Sequence, residues 1–598
     1  MFQTFEATSR PEQGPPRLRL LREEMARAEL DGFLVPRADA HQGEYVAPRD
    51  ARLTWLTGFT GSAGFCAVLQ EVAGVFVDGR YRVQVRQQVA EDFTPVNWPE
   101  TKLGPWLREH LPHGGAVGFD PWLHTVREIE TLETALERSG VHLLPSDNLV
   151  DRIWSDQPAP PAAPVTAHPL DYAGERSAEK RARLGAELHG AGEAAAVLTL
   201  PDSICWLLNI RGGDVPRNPV AHGFAILHAD GTVDLFMEAA KLSGVRGRLG
   251  DGVRVAPPED FADALAALEG CVRIDPASAP LAVLRALEAG HAEPARGADP
   301  CLLPKARKTA AERAGAEAAH LRDGAAMAEF LCWLDAQAPG TVTEIAAATK
   351  LEECRRAAPE LRDISFDTIA GAGEHGAIVH YRVTEETDRP LAAGELFLVD
   401  SGGQYVDGTT DVTRTVPIGP VGEDERAAYT RVLQGLVTIS RLRWPRGLAG
   451  RDLDALARMP LWLAGQDYAH GTGHGVGAYL SVHEGPQRLA RTGEVALEPG
   501  MILSNEPGFY REGAYGIRLE NLVVVEEAPA LPGGTVGEML RMQTLTYVPF
   551  DRRLIVTEML TGPERAWLDA YHALCRRKLT GRLGPAAQAW LYAATAPI

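Results

Sequence analysis

The stretch 395-ELFLVDSGGQYVDGTTDVTRT-415 decides how the chain is read. Glu395–Val399 has the apolar content of a strand, and Asp400 ends it. Asp411 opens the return run DVTRT. A hairpin between the two runs would set both carboxylates side by side on adjacent strands. Adjacent carboxylates repel one another unless a proton or cation lies between them. The bland alternative is that Asp400, Asp407 and Asp411 are turn residues, a setting that Asp favours.

Two more stretches carry groups of the same kind. In 501-MILSNEPGFYREGAYGIRLENLVVV-525, Glu506 follows an apolar strand. Glu520 lies in IRLENLVVV, read as one strand. Period two places Arg518, Glu520 and Leu522 on one face. A charge beside leucine on such a face is costly unless paired or metal-bound. A buried Arg518–Glu520 pair is the metal-free alternative. In 470-HGTGHGVGAYLSVHEGP-486, three histidines stand among glycines. Four carboxylates and His474 form a hard, oxygen-rich set that could hold two divalent cations with shared carboxylates. No thiolate belongs to it, which disfavours a structural zinc site. Mn²⁺ fits best, with Co²⁺, Fe²⁺ and Zn²⁺ compatible. Two such metals would bind a bridging hydroxide and polarise a scissile carbonyl.

The rest of the chain sets the frame. Its 598 residues exceed one hydrophobic core, so two or three domains are expected. The net charge of −20 and the absence of a Lys/Arg run argue against nucleic acid as a partner. Seven cysteines without a Cys-x-x-Cys pair read as reduced thiols. The opening MFQTFEATSRPEQGPPRLRL has no apolar core of a secretory signal, and no apolar run is long enough to span a bilayer. A cytoplasmic setting away from the membrane is expected.

DGFLVP, GFCAVL and GVFVDG read as strands of a first α/β domain, and QPAPPAAPVTAHP (Gln157 to Pro169) as a proline-rich linker. TWLTGFTGSAGFCAVLQEVAGVFVDG (Thr54–Gly79) resembles CWLLNIRGGDVPRNPVAHGFAILHADGTVDLF (Cys205–Phe236), which suggests two copies of one fold. A long helix is expected from near Lys308 to Ala338, then a second over TEIAAATKLEECRRA. From Phe366 to Val525 the texture reads as short β-rich runs separated by glycines. A final helix over TGPERAWLDAYHALCRRKL has Thr561 as N-cap and Pro563 in its first turn.

The ordered set Asp400, Asp411, His474, Glu506 and Glu520, in the contexts VDSG, TTDVTRT, GTGHG, NEPG and IRLEN, resembles the dinuclear metallopeptidases of the pita-bread fold. GAIVHY (Gly376–Tyr381) and HGTGHGVG…VHEGP resemble the X-prolyl aminopeptidase branch. VPRADAHQGEYVAPRDARLTWLTGFTGSAG and WLLNIRGGDVPRNPV look like the first two domains of its long, three-domain cytosolic form. VPFDRRLI with ERAWLDAYH looks like its C-terminal extension. The implied fold class is α/β and α+β multidomain. Two creatinase-N-like α/β domains (1–157 and 158–304) precede a pita-bread catalytic domain (305–535) and a short extension (536–598).

The resemblance also implies roles. Asp400, Asp411 and Glu520 hold and bridge the metals. His474 and Glu506 bind one of them, and Glu506 is general base toward the attacking water. His380 and His483 flank the substrate and stabilise the tetrahedral intermediate. His470 meets the carbonyl on the proline side. Arg518, among the substrate-side groups, fixes a ligand carboxylate. The implied reaction releases the N-terminal residue from peptides with proline second, and the implied assembly is a homodimer. An X-Pro amide lacks the N–H that ordinary peptidases recognise, so the site must be shaped for the ring. His375 stands where the family commonly has Asn, and Val383 where Pro often follows HYR. The rival readings are a prolidase acting only on X-Pro dipeptides and a non-catalytic pita-bread binding module.

Overall fold

In the computed structural model of the protein, which describes every residue from Met1 to Ile598, the early apolar runs are strands: Gly32–Pro36, Phe65–Leu69 and Ala73–Val77. They belong to the unit Thr8–Lys305, which contains two six-stranded sheets. In the first, the strand from Gly32 pairs antiparallel with that from Phe65 and parallel with Gly115–Phe119. In the second, Ala195–Leu198 pairs antiparallel with Phe224–His228 and parallel with Glu269–Ile274. The remaining pairings match as well, so the spatial order in each sheet is fourth, third, second, first, fifth, sixth. The loose sequence echo therefore reflects two copies of one topology. Both copies share a core in which Phe76, Trp106 and Phe119 join Ile226, Phe236 and Phe261. Burial of such large side chains contributes about 1.5–3 kcal/mol each.

The second unit comprises Met1–Ala7 and Ala306–Ile598. Its N-terminal residues are pinned by Glu352, which accepts from the backbone N–H of Phe2 (2.7 Å) and Gln3 (3.2 Å). The expected long helix is α1 (Ala310–Asp335), begun by a capping box between Thr309 and Glu312. α2 (Glu344–Arg356) follows, capped by Thr343.

A three-stranded antiparallel sheet runs β1 (Ile369–Ala372), β2 (Glu395–Ser401), β3 (Val412–Ile418). A larger sheet contains β4 (Arg443–Pro445), β5 (Gly473–Gly475), β6 (Glu484–Leu489) and β7 (Ile502–Asn505). The hairpin β8 (Gly508–Arg511)–β9 (Tyr515–Arg518) leads to β10 (Asn521–Glu527) and β11 (Met539–Thr544), which complete that sheet in the order β4-β11-β10-β7-β5-β6.

The region from Phe366 to Val525 is not wholly β-rich. Two helices interrupt it, α3 (Glu423–Arg441) and α4 (Gly450–Trp462). α3 buries Tyr429, Val432, Leu433 and Leu436 at helical spacing against Ile517 and Leu519. Its apolar stripe is diluted by exposed charge, so averaged texture hid it. The C-terminal helix α5 (Gly562–Leu579) has the expected Thr561 cap, and α6 (Pro585–Ala594) follows it.

Candidate metal centre

The hairpin places its carboxylates differently from the simplest expectation. Asp400 lies one residue before the end of β2 and faces Thr413, not Asp411, across the ladder. Asp411 sits just before β3. IRLEN is likewise not one strand. β9 stops at Arg518 and β10 starts at Asn521, so Leu519 and Glu520 form a break between two sheets. The Glu520 N–H donates to the Thr413 carbonyl (3.2 Å), and Thr413 Oγ1 donates to Glu520 Oε2 (2.9 Å). This break turns the carboxylate toward Asp411. Arg518 does not pair with Glu520. It donates to Asp400 Oδ2 from Nη2 (2.6 Å) and Nε (3.2 Å).

His474 stands in the middle of β5, between two glycines that the packing requires. A Cβ on Gly473 would lie 2.0 Å from the Ser504 carbonyl oxygen, and one on Gly475 would lie 2.3 Å from that of Glu484. The His474 backbone N–H donates to Ser504 Oγ (2.9 Å), and that hydroxyl donates to Glu506 Oε1 (3.0 Å). His474 Nδ1 is 2.9 Å from the Gly475 carbonyl oxygen. A carbonyl only accepts, so Nδ1 carries a proton and Nε2 is the nitrogen that faces the carboxylates. Nε2 lies 3.5 Å from Asp411 Oδ2 and 3.4 Å from Glu506 Oε1.

One ligand atom each from Asp411, His474 and Glu520 falls within a mutual 4.8 Å. Asp400 Oδ1, Asp411 Oδ1 and Glu520 Oε1 are buried without hydrogen-bond partners. Leaving such oxygens unsatisfied is expensive. Burial pushes Asp411 well above the usual carboxylate range, with further help from Asp400 and Glu506. Burial, then Asp411, Glu506 and Asp400, do the same to Glu520. Burial also raises Glu506, opposed by the nearby His474. Orphaned hard oxygens around an imidazole suit divalent cations, so the donor set fits the expected metals.

Of the other sequence-read residues, His483 and His470 are tied to this cluster. The His483 ring meets that of His474 edge-on, with centroids 4.2 Å apart. His470 is half-buried, and its Nδ1 lies 2.7 Å from the Gly471 carbonyl oxygen. Its Nε2 therefore accepts from the Tyr510 hydroxyl (2.9 Å), which in turn accepts from Arg518 Nη1 (2.7 Å). A chain of bonds thus joins His470 to Asp400 through Tyr510 and Arg518. Both His470 nitrogens are engaged, so meeting a substrate carbonyl requires exchanging one of these bonds. His380 lies in the turn after residues 373–377, whose backbone packs on β9. A Cβ on Gly516 would sit 1.7 Å from the Gly376 carbonyl oxygen.

Tyr510, Thr413 and Ser504 were not singled out in the sequence. Thr413 was visible within DVTRT, whereas nothing local marked the other two.

A second acidic cluster, Asp39, Asp50 and His222, lies in the unit Thr8–Lys305. Asp50 accepts from Arg52 (3.0 Å), and Arg37 acts on Asp39. Arg37 and Arg52 face its two carboxylates, Asp39 Oδ2 has no hydrogen-bond partner, and we read the cluster as an ion-pair network.

A β-sheet scaffold presenting four carboxylates and one imidazole defines the pita-bread class of metallopeptidase. The description "Metallopeptidase family M24" matches residues 314–527, and "C-terminal region of peptidase M24" matches 538–598. "Creatinase/Prolidase N-terminal domain" matches twice, over 17–153 and 156–312. A Talaromyces marneffei protein described as "Probable Xaa-Pro aminopeptidase P" is 38% identical over 94% of this chain and 89% of its own. Aminopeptidase P2 of Arabidopsis thaliana is 36% identical, covering 95% of this chain and 86% of its own. The solved X-prolyl aminopeptidase of Caenorhabditis elegans, a cytosolic enzyme with a di-nuclear active site, superposes with a TM-score of 0.92 at 32% identity. That match covers 98% of this chain and 100% of the other. The chain belongs to the Xaa-Pro aminopeptidase P family of the M24 metallopeptidases.

Proposed function

We propose that the chain releases the N-terminal residue from peptides whose second residue is proline, using two divalent cations held by Asp400, Asp411, His474, Glu506 and Glu520. The observation that carries this is that ligand atoms of Asp411, His474 and Glu520 lie within 4.8 Å of one another, and that Asp400, Asp411 and Glu520 each keep one buried oxygen without a hydrogen-bond partner. Two divalent cations bound there supply Lewis acidity to water and to an amide carbonyl.

The chain's own groups do the rest. Glu506 is oriented by Ser504, which suits it to take a proton from the attacking water. An X-Pro nitrogen carries no proton of its own and must receive one as it leaves. His380 and His483 flank the peptide and donate to the carbonyl oxygen as charge develops on it. His470 steadies Tyr510 on the side of the proline carbonyl. Arg518 holds one oxygen of Asp400 and leaves the other for metal.

The hard donor set favours Mn²⁺. A cytoplasmic setting accords with the seven free cysteines, and a homodimer accords with the family resemblance. No helix is long and apolar enough to cross a membrane. The test compares Arg-Pro-Pro with Arg-Ala-Ala in the presence of Mn²⁺. Release of arginine from the first alone is expected, and release from neither would overturn the proposal. Cleavage of X-Pro dipeptides but not of longer peptides would favour the prolidase reading.

A further inference from the structure

The geometry points to Glu344 as the residue that positions His380, through a clamp on the loop 372–381. Glu344 is the first residue of α2 and is fully buried at 0% side-chain exposure. A carboxylate at that depth needs every lone pair engaged. Its Oε1 accepts from the backbone N–H of Ala372 (2.7 Å) and from His375 Nδ1 (2.9 Å). Its Oε2 accepts from the Tyr381 hydroxyl (3.0 Å) and lies 3.0 Å from His375 Nδ1. The N-terminus of α2 adds a favourable dipole.

The three donors come from the start, middle and end of one loop. Ala372 closes β1, whose first residue, Ile369, pairs with Asp400. His375 lies in the short helical turn Gly373–Ala377, and its ring stacks on that of Tyr381 with centroids 4.5 Å apart. Tyr381 is the residue next to His380. Two backbone bonds, Ile378 N–H to His375 and Tyr381 N–H to Ile378, close the turns between them. One buried carboxylate thereby fixes both sides of His380. His375 occupies the position where the resembling family commonly has Asn, and its Nδ1 faces both oxygens of Glu344.

The chemistry specifies the perturbation. A carboxylate only accepts, and all three partners donate. Glu344→Gln keeps the shape but turns one acceptor into an NH₂ group facing a donor, so at least one anchor is lost. Glu344 touches neither metal ligand nor substrate and acts only through the loop.

This inference rests on the substrate-side reading of His380 given above. The test uses the full chain loaded with Mn²⁺ and measures kcat, KM, metal content and thermal midpoint. The variants are Glu344→Gln, His380→Ala and the pair together. Glu344→Gln should lower kcat by about 10- to 100-fold with KM and metal content near wild type, the size expected for ångström-scale misplacement of a catalytic group. The double variant should be no worse than His380→Ala alone, within about twofold. If Glu344→Gln keeps wild-type kcat, or its loss multiplies that of His380→Ala, the clamp is wrong while the reading of His380 stands. If His380→Ala itself retains wild-type kcat, the reading of His380 fails and the clamp with it. Should Glu344→Gln not fold, Tyr381→Phe removes one of the three anchors, together with the hydroxyl's 2.9 Å bond to Thr387 Oγ1. It should cost about 3- to 10-fold in kcat and show the same non-additivity with His380→Ala.

Discussion

Arg414 gives the sharpest structural prediction, because it ties the C-terminal extension to the backbone of Glu520, a proposed metal ligand. It lies in β3 with 1% of its surface exposed. Its guanidinium donates to the carbonyls of Thr413 (2.8 Å), Val548 (2.6 Å), Pro549 (3.2 Å) and Glu520, and to Asn521 Oδ1 (2.8 Å). It also rests over the Phe550 ring at 4.3 Å. Arg414→Met keeps the stem and removes the donors. Thr413 keeps the Glu520 N–H and Val548 keeps the single Tyr571 hydroxyl proton (2.8 Å), but the Glu520 and Pro549 carbonyls and Asn521 Oδ1 lose the donor they have here. At about 1–3 kcal/mol for each of the three buried orphans, the loss is about 3–9 kcal/mol. Relief from burying a charge trims it to about 2–5 kcal/mol. For a unit of this size the midpoint should fall by about 3–8 °C. Because Glu520 moves with its carbonyl, metal affinity should drop about 10- to 100-fold, as for other residues that orient a ligand. Thermal unfolding and metal content after dialysis against graded chelator read the two effects. A variant that melts within about a degree of wild type, or keeps its metal equally well, would refute the reasoning.

Glu506→Gln should reduce kcat by at least about 10²-fold while part of the metal is retained, and unchanged turnover would remove Glu506 as general base. Tyr510→Phe breaks the link between His470 and Arg518 and should lower kcat/KM about tenfold with metal content unchanged. An equal loss in a His470→Ala background would show that the link does not matter. In metal-free protein, the raised Asp411 and Glu520 bind protons that the unfolded chain has already released above about pH 4. Their contribution therefore falls as pH rises, by about 1.4 kcal/mol per pH unit per proton. The gap in thermal midpoint with and without Mn²⁺ should widen from pH 5.5 to 7.5, and a constant gap would contradict the carboxylate assignment.

Of the five proposed ligands, Asp400, Glu506 and Glu520 stand out in the sequence as polar groups beside apolar strand residues, whereas Asp411 and His474 stand out through the contexts TTDVTRT and GTGHG. Glu520 beside Leu519 and Leu522 demands an explanation that a surface glutamate does not. The same signal marks Arg414, which alternates with Val412 and Val416 on one face of β3, and it could have been found that way. The path of the chain at Glu520 was not legible. Alternation in IRLEN is the same whether the strand continues or breaks, and the break depends on a bond to Thr413, over a hundred residues away. α3 was missed because its stripe only declares itself against the partners that bury it.

Glu344 marks where local reading ends. An acidic residue in the first turn of a helix is ordinary, since the dipole favours it there. Nothing in TEIAAATKLEE separates a solvated glutamate from one that closes a loop. The difference lies in Ala372, His375 and Tyr381, which reach it only once β1 has paired with β2. Residues that touch metal announce themselves by type and neighbourhood. Residues that hold them in place do so through long-range bonds, often to backbone carbonyls and N–H groups that every sequence has. Identity can therefore be read from one chain, whereas preorganisation needs the fold.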